Sequence, residues 1–343
     1  MTTNTVFMEK RVSMMRLTSQ WQLPMRLRPA FRSGVALLGL LLGLLSAVAT
    51  LLLLWPGPAG VVSLDGVPVA LTVNPTNDRL YIETYVATET ANAVWTLDGS
   101  GTRLLGGVRL DGGFLGAMAT NPKTGHLYVA NLADRVSVLA GANDSELAGI
   151  GLDQIPNQIA VNAATGRIYI TSAGDSRYSH GVVVVLDGDR DVALAEAPVG
   201  THPAGVAANP RTNRVYVANS GDDTVSVLDG ATNTVVATVA VGRLPQRVGL
   251  NAGTDRVYVS NGDDGTLSVL DGGSNSVVAT VPLGDRPDAM AVDEASGRVY
   301  VASTLDGTVA VLDGAANRLV ATLAPGWHPS ELTVNPRTSR IYV

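Results

Sequence analysis

Two stretches of this chain concentrate side chains that recognise polar ligands. The segment Ala173–His180 packs Asp175, Arg177, Tyr178 and His180 into eight residues, and Tyr85–Asn92 carries Tyr85 and Glu89. A carboxylate, a guanidinium, a phenol and an imidazole in so short a run offer directional donors and acceptors of both charges. His202 and His328 each precede a proline, Pro203 and Pro329, and Arg243, Arg286 and Trp327 occupy comparable places. Asp222-Asp223 and Asp263-Asp264 are paired carboxylates, but outside a D-x-[DN]-x-[DN]-G loop they read as turn residues rather than calcium ligands. His126 is assigned no role. The chain contains no G-x-S-x-G elbow, no H-E-x-x-H pair and no P-loop. With no cysteine, thiolate catalysis, thiolate metal sites and disulfides are excluded, and four histidines are too few for a haem-carrying domain.

The elements that position these residues repeat. Tyr81, Tyr128, Tyr169, Tyr216, Tyr258, Tyr300 and Tyr342 each stand between two aliphatic residues, at steps of 47, 41, 47, 42, 42 and 42. Residues 201–242 are the cleanest copy and predict four strands: A, Gly205–Ala208; B, Arg214–Ala218; C, Thr224–Leu228; D, Thr234–Val239. Asn209-Pro210 and Asp229-Gly230 punctuate them, with proline fixing φ and Asx side chains bonding the backbone. Residues 243–284 and 285–326 repeat the text. A period near 42 with four short strands predicts a β-propeller. In such blades the A–B and C–D turns share one face, and the B–C and D–A loops share the other. The two 47-residue steps arise in B–C loops: Tyr81 to Asp98 spans 17 residues and Tyr169 to Asp187 spans 18, against 13 in three later copies. All the residues singled out as ligand-binding (Tyr85, Glu89, Gln154, Asn157, Asp175, Arg177, Tyr178, His180, His202, Arg243, Arg286, Trp327, His328) fall on or near the B–C/D–A face.

The phrases Tyr216-Val217-Ala218-Asn219 and Tyr258-Val259-Ser260-Asn261, followed by Leu-Asp-Gly and Val-Val-Ala-Thr in fixed order, resemble the YVTN-type, YncE-like propeller repeat across residues 61–343. The first three copies depart from it, with Glu83-Thr84, Ala140-Gly141 and Thr171-Ser172 at motif positions. The resemblance implies an all-β, seven-bladed β-propeller of four-stranded blades, often extracytoplasmic. The recurring tyrosines are then packing between blades. Strands A and B of a seventh blade come from 332–335 and 340–343, and Val61–Leu64 aligns with strand D. The last blade is therefore expected to be closed by both chain ends and to hold three strands, unless the sequence stops short of a natural end.

Residues 34–55 are uncharged and predominantly apolar, and a helix of that length spans a hydrocarbon core of about 30 Å. Residues 1–33 carry Lys10, Arg11, Arg16, Arg26, Arg28 and Arg32 against Glu9. The remaining 18 basic and 29 acidic residues leave the rest at −11. This polarity predicts a disordered cytoplasmic tail (1–33), an uncleaved signal-anchor transmembrane helix (34–55), a linker (56–60) and an external propeller (61–343). Because Pro56–Gly60 is short, the A–B/C–D face is expected toward the bilayer. An acidic domain repels phosphate backbones, so nucleic acid is not an expected partner. The sequence thus reads as a membrane-anchored, extracytoplasmic binding or scaffold module for a protein, peptide or cell-envelope glycan, with no cofactor. The alternative, by similarity in outline to seven-bladed lactonases, is a metal-dependent hydrolase with a divalent ion at the central channel near Gln154, Asn157, Asp285 and Asp288. A single metal between His202 and His328 is the least favoured variant.

Overall fold

The computed structural model describes residues 62, 64–65, 67–86, 91–110, 117–131, 134–172, 181–325 and 328–343. They form six four-stranded antiparallel sheets and one two-stranded sheet. The first sheet is β1 (Val67–Asn74), β2 (Arg79–Val86), β3 (Ala91–Asp98) and β4 (Leu104–Leu110). The second is β5 (Met118–Thr120), β6 (His126–Asn131), β7 (Arg135–Ala140) and β8 (Glu146–Gly151). The third is β9 (Pro156–Val161), β10 (Arg167–Ser172), β11 (Val182–Asp187) and β12 (Val192–Pro198), and the fourth is β13 (Pro203–Asn209), β14 (Arg214–Asn219), β15 (Thr224–Asp229) and β16 (Thr234–Ala240). The fifth is β17 (Pro245–Asn251), β18 (Arg256–Asn261), β19 (Thr266–Asp271) and β20 (Ser276–Pro282). The sixth is β21 (Pro287–Asp293), β22 (Arg298–Ser303), β23 (Thr308–Asp313) and β24 (Arg318–Leu323), and a last pair is β25 (Thr333–Asn335) and β26 (Arg340–Tyr342). Strand order follows the chain within every sheet, and β25 lies against both β21 and β1.

The fold is a β-propeller with six four-stranded blades, which corrects the expected seven-bladed wheel of four-stranded blades. Among the described residues, only the β25–β26 pair stands between the sixth blade and the first. The repeat text supplies just the A and B strands there, and the expected closure by both chain ends as one sheet does not form. Val62 and Leu64 pair with no strand, yet they are buried with Val73, Leu80, Ile82, Leu97 and Tyr342. They fill the place that Val239 and Val241 take against Tyr216, Val257, Val259 and Leu270. Without a C strand beside them, these residues have no ladder to join, so side-chain burial is all that the alignment with strand D delivers.

Strands B and C of each blade are sandwiched on both faces, which explains runs such as RVYVAN and TVSVLD, with four or five successive buried residues. The A–B turns have one construction. Asn74, Asn121, Asn162, Asn209, Asn251, Asp293 and Asn335 each accept a nearby backbone N–H through the side-chain oxygen. Four residues on, Asp78, Gly125, Gly166, Asn213, Asp255, Gly297 and Ser339 take positive φ, where Gly, Asn and Asp are the least strained residues. The Asn amides then reach the next blade, as in Asn209 Nδ2 to Asp255 Oδ1 at 2.8 Å and Asn162 Nδ2 to Asn213 Oδ1 at 2.9 Å. The same link runs from Asn335 to Asp78 across the closing seam at 2.5 Å, beside an ion pair between Arg337 and Asp78.

The repeat tyrosines make the second tie. Tyr81, Tyr128, Tyr169, Tyr216 and Tyr258 are essentially inaccessible. Tyr81 donates its hydroxyl to the carbonyl of Gly141 at 3.0 Å, Tyr128 to Gly188 at 3.2 Å, Tyr258 to Gly314 at 3.3 Å and Tyr342 to Gly99 at 2.5 Å. Each acceptor is in the C–D turn of the next blade around the ring. Burial raises every one of these phenols, Tyr216 to about 12. Tyr300 would need a C–D turn beyond blade 6, and it makes no hydrogen bond to a described residue. Its ring is correspondingly less buried than those of the other blades. Replacing Tyr258 by Phe strands the Gly314 carbonyl and should lower unfolding free energy by about 1–2 kcal/mol, whereas Tyr300→Phe should change it by less than about 0.5 kcal/mol. Urea denaturation of the two variants measures the difference; equal losses would refute this account of the tie.

Candidate functional site

The loop parity read from the repeat is visible as hydrogen bonds. In the A–B/C–D end, the N–H of Gly230, Gly272 and Gly314 donates to the carbonyl of Asn213, Asp255 and Gly297 in the same blade. In the opposite end, B–C loops hold the D–A segment that leads into their own blade. Asp222 accepts the Thr201 N–H at 2.6 Å, Asp264 accepts the Arg243 N–H at 2.7 Å and Asp306 accepts the Asp285 N–H at 2.9 Å. Asp223 accepts the N–H of Leu244 in the following segment at 2.8 Å. Asp222, Asp223, Asp264 and Asp306 are therefore loop fasteners. Hydrogen bonds from Arg243 hold the Asp264 carboxyl below the ordinary carboxylate range.

Among the described residues, this loop face carries three strained non-glycine backbones. His202, Leu244 and Arg286, each just before a proline, have φ of 48°, 54° and 49°. Non-glycine residues enter this region at a cost unless their surroundings dictate it, and such positions gather at functional faces. Apart from these three and Ser339, every described non-glycine residue with positive φ is Asn or Asp.

Several sequence candidates are held within their own loops. His202 offers its carbonyl to Ser220 Oγ at 2.8 Å, and its Nδ1 lies where a methyl on Gly221 would come within 2.8 Å. His328 places Nδ1 2.6 Å from the Thr304 carbonyl of blade 6. Each imidazole thus lies against a neighbouring B–C loop. Arg243 forms an ion pair with Asp264 at 2.8 Å, and Arg286 stands 3.9 Å from Asp288. Asn157 Nδ2 donates to the Pro203 carbonyl at 3.2 Å, and Gln154 Oε1 is buried with no partner. Tyr85, in β2, faces Val67 and Asn92 in register. Glu89, Asp175, Arg177, Tyr178, His180 and Trp327 lie outside the described residues. Among the described residues no three His, Asp or Glu side chains gather as a metal-binding group.

The most interactive charges on this face were not singled out from the sequence. The second residue after the strand A proline runs Ala70, Ala117, Gln158, Gly205, Arg247, Ala289 and Glu331 around the ring, counting Ala117 by alignment. Arg247 passes the small Ala289, donates from Nε to the Asp288 carbonyl at 2.9 Å, and pairs with Glu331 through NH2. Burial raises the Glu331 carboxyl, and Arg247 pulls it back. The legible signal was an Arg and a Glu two periods apart, at a position otherwise small or amide. His126 takes the place of the strand B arginine. Arg79, Arg167 and Arg340 bind next-blade glycine carbonyls; His126 instead lies 3.2 Å from Asp191 of blade 3. A cleft of about 500 Å³ between blades 4 and 5 is lined by Ala240, Val241, Gly242 and Val277 together with Asp264, Thr266, Ser268 and Thr280.

Glu83 is the remaining unusual group. Blade 1 places it where the other full blades carry Ala130, Thr171, Ala218, Ser260 and Ala302. It is buried, Oε1 accepts from Asn92 Nδ2 at 2.8 Å, and Oε2 has no partner. Burial pushes its carboxyl up to about 8, with the Asn92 bond opposing.

The geometry defines a β-propeller whose one face is stapled shut and whose other face holds the variable loops. Residues 191–343 match the YNCE-like beta-propeller family. No curated protein matches the chain. Among solved structures, Kuenenia stuttgartiensis hydrazine synthase is similar at 18% identity with a TM-score of 0.67, covering 78% of this chain and 90% of that one. At that identity the likeness speaks to fold alone.

Folding holds the proton on Glu83, because its carboxyl titrates higher in the folded chain than at its ordinary 4.5. Stability should therefore fall as pH rises from about 4.5 to about 8 and level off above. Glu83→Gln should remove that slope and stabilise the protein above pH 8 by a few kcal/mol, as read from urea midpoints across the range. A slope that persists in the variant would assign it to another group.

Proposed function

We propose that this protein is a membrane-anchored, extracytoplasmic binding module that meets a protein, peptide or cell-envelope glycan with its B–C/D–A face. The observation that carries the reading is the division of labour between the two ends. The A–B/C–D end spends its Asn amides, tyrosine hydroxyls and arginines on neighbouring blades. The other end fastens most of its loops within their own blade, carries the Arg247–Glu331 ion pair at the start of its A strands, and varies in loop length from blade to blade. Binding evolves where loops vary on a rigid scaffold. The anchor rests on the sequence of residues 34–55 and the positive charge before it. Among the described residues no helix is long and apolar enough to cross a membrane, and residues 34–55 are outside that set.

The absence of cysteine makes the test direct. Asp263→Cys marks the B–C face and Arg211→Cys the A–B face, both at exposed positions. A membrane-impermeant maleimide should label both on intact cells. Labelling that appears only after lysis would overturn the location. A benzophenone maleimide on the same cysteines then compares the faces: adducts to other envelope components are expected from Asp263→Cys, and equal adducts from both would overturn the assignment of the binding face.

A further inference from the structure

The cleft between blades 4 and 5 finds no place in the function above. It opens between the end of β16 and the outer strands β19 and β20, and its volume of about 500 Å³ is that of a small-molecule site. Its polar wall is built around one buried amide. Asn261, at the end of β18 and wholly inaccessible, donates from Nδ2 to Thr266 Oγ1 at 3.0 Å and to Ser268 Oγ at 2.9 Å. A hydroxyl that accepts in this way still has its own proton to give. Among the described residues neither proton has an acceptor, and the hydroxyl of Thr280, directly across the ladder from Ser268, bonds to nothing. Three O–H donors therefore line one wall. Ser268 closes the floor at 2% exposure, and Thr280 stands in the open.

Blade 4 carries the same hydroxyls and satisfies one more group. Asn219 donates to Thr224 and Ser226 as Asn261 does to its pair, and its Oδ1 accepts the Gly200 N–H at 3.1 Å. Between blades 4 and 5 that last bond is missing. The Gly242 N–H has no acceptor among the described residues, and Asn261 Oδ1 is buried with no donor. Gly242 itself lines the cleft. Buried polar atoms left unpaired are rare enough to need a reason, and a bound group that donates and accepts is one. Blade 6 has lost the set, with Ser303 and Ala310 in place of the Asn and the Ser. The remaining wall is aliphatic, from Val241 and Val277, and Asp264 brings one carboxylate whose charge Arg243 meets at 2.8 Å. The cleft thus combines donors, an acceptor and small apolar surface with no uncompensated charge.

We propose that this cleft is a saccharide subsite, taking a neutral sugar residue of a glycan. Sugar hydroxyls accept from Thr266, Thr280 and the Gly242 N–H and donate to the Asp264 carboxylate, while the C–H face of the ring lies on Val241 and Val277. An inorganic anion would leave the aliphatic wall unused and would meet the Asp264 carboxylate. A metal ion needs oxygen acceptors where this wall presents donors. An extended peptide would have to continue the ladder of β20, which a bulge interrupts between its pairings with Val269 and Leu270. The site is separate from the loop-face contact proposed above and does not depend on it.

The experiment applies the purified full chain, in a detergent that carries no sugar, to an array of neutral and anionic oligosaccharides, read through a terminal tag. Binding to neutral members is expected. Thr280→Val removes one donor at an exposed position and should weaken that binding about three- to ten-fold. Ala240→Trp fills the cleft and should abolish it. Thr238→Val, the blade 4 counterpart across from Ser226, should leave it unchanged. Urea midpoints show that each variant folds; should Ala240→Trp fail to, the comparison of Thr280→Val with Thr238→Val decides alone. The proposal is overturned if no neutral oligosaccharide is bound, if binding is confined to anionic members, or if Thr280→Val binds as the parent chain or no worse than Thr238→Val. Adducts from Asp263→Cys report on the loop face separately, so either reading can fail without the other.

Discussion

A phenol buried between two sheets, with its hydroxyl on the carbonyl of a glycine in the next sheet, holds this molecule together. The tyrosine ring fills the wedge that opens between twisted blades; the hydroxyls of Tyr81, Tyr128, Tyr258 and Tyr342, cut off from water, find a glycine carbonyl, whereas those of Tyr169 and Tyr216 are buried without a hydrogen-bond partner. Only glycine lets the acceptor turn come so close. A methyl on Gly314 would lie 2.4 Å from the Tyr258 hydroxyl, and one on Gly272 2.7 Å from that of Tyr216. The Leu-Asp-Gly and aliphatic-Tyr-aliphatic phrases are thus two halves of one contact. They lie in neighbouring blades rather than in one.

Closure of the ring shows which parts of that contact are indispensable. At the seam, Tyr342 reaches Gly99, Asn335 reaches Asp78, and Val62 and Leu64 pack where a D strand's residues would. The cluster there resembles the one between blades 4 and 5 without the contribution of Val225 and Val227 from a C strand. Inter-blade ties run through strands A and B and through the turns, so a two-stranded sheet completes them. Tyr300 bears the consequence, as the one repeat tyrosine facing a position with no C–D turn.

Concentrating the ties at one end sets the character of the other. Where the A–B and C–D turns must repeat to meet their neighbours, the B–C and D–A loops fasten chiefly within their own blade, with single links such as Asp223 to Leu244 and Thr304 to His328 crossing to the next. They can lengthen, as in the first and third repeats, without disturbing the ring. The same freedom tolerates strained φ at His202, Leu244 and Arg286. The rim is a third surface, where the D strands end the sheets and a bulge at each sets a side chain outward.

Strand order, turn chemistry, loop parity and the burial of the tyrosines were legible in the residues, because each follows from contacts within about 42 positions and from local φ preferences. The strands of the fourth copy fell within two residues of their expected ends. The number of full blades was not legible, since counting tyrosines counts B strands, and a B strand forms with or without C and D beside it. Nor were the Arg247–Glu331 pair and the bulged rim. Arg247 and Glu331 are 84 residues apart and meet only because the ring curves past Ala289. A bulge leaves an alternating pattern that reads in one dimension as an ordinary Val-Val. What lies near in sequence was set by the sequence itself, and what depends on the curvature of the ring was decided only when seven sheets came together around one axis.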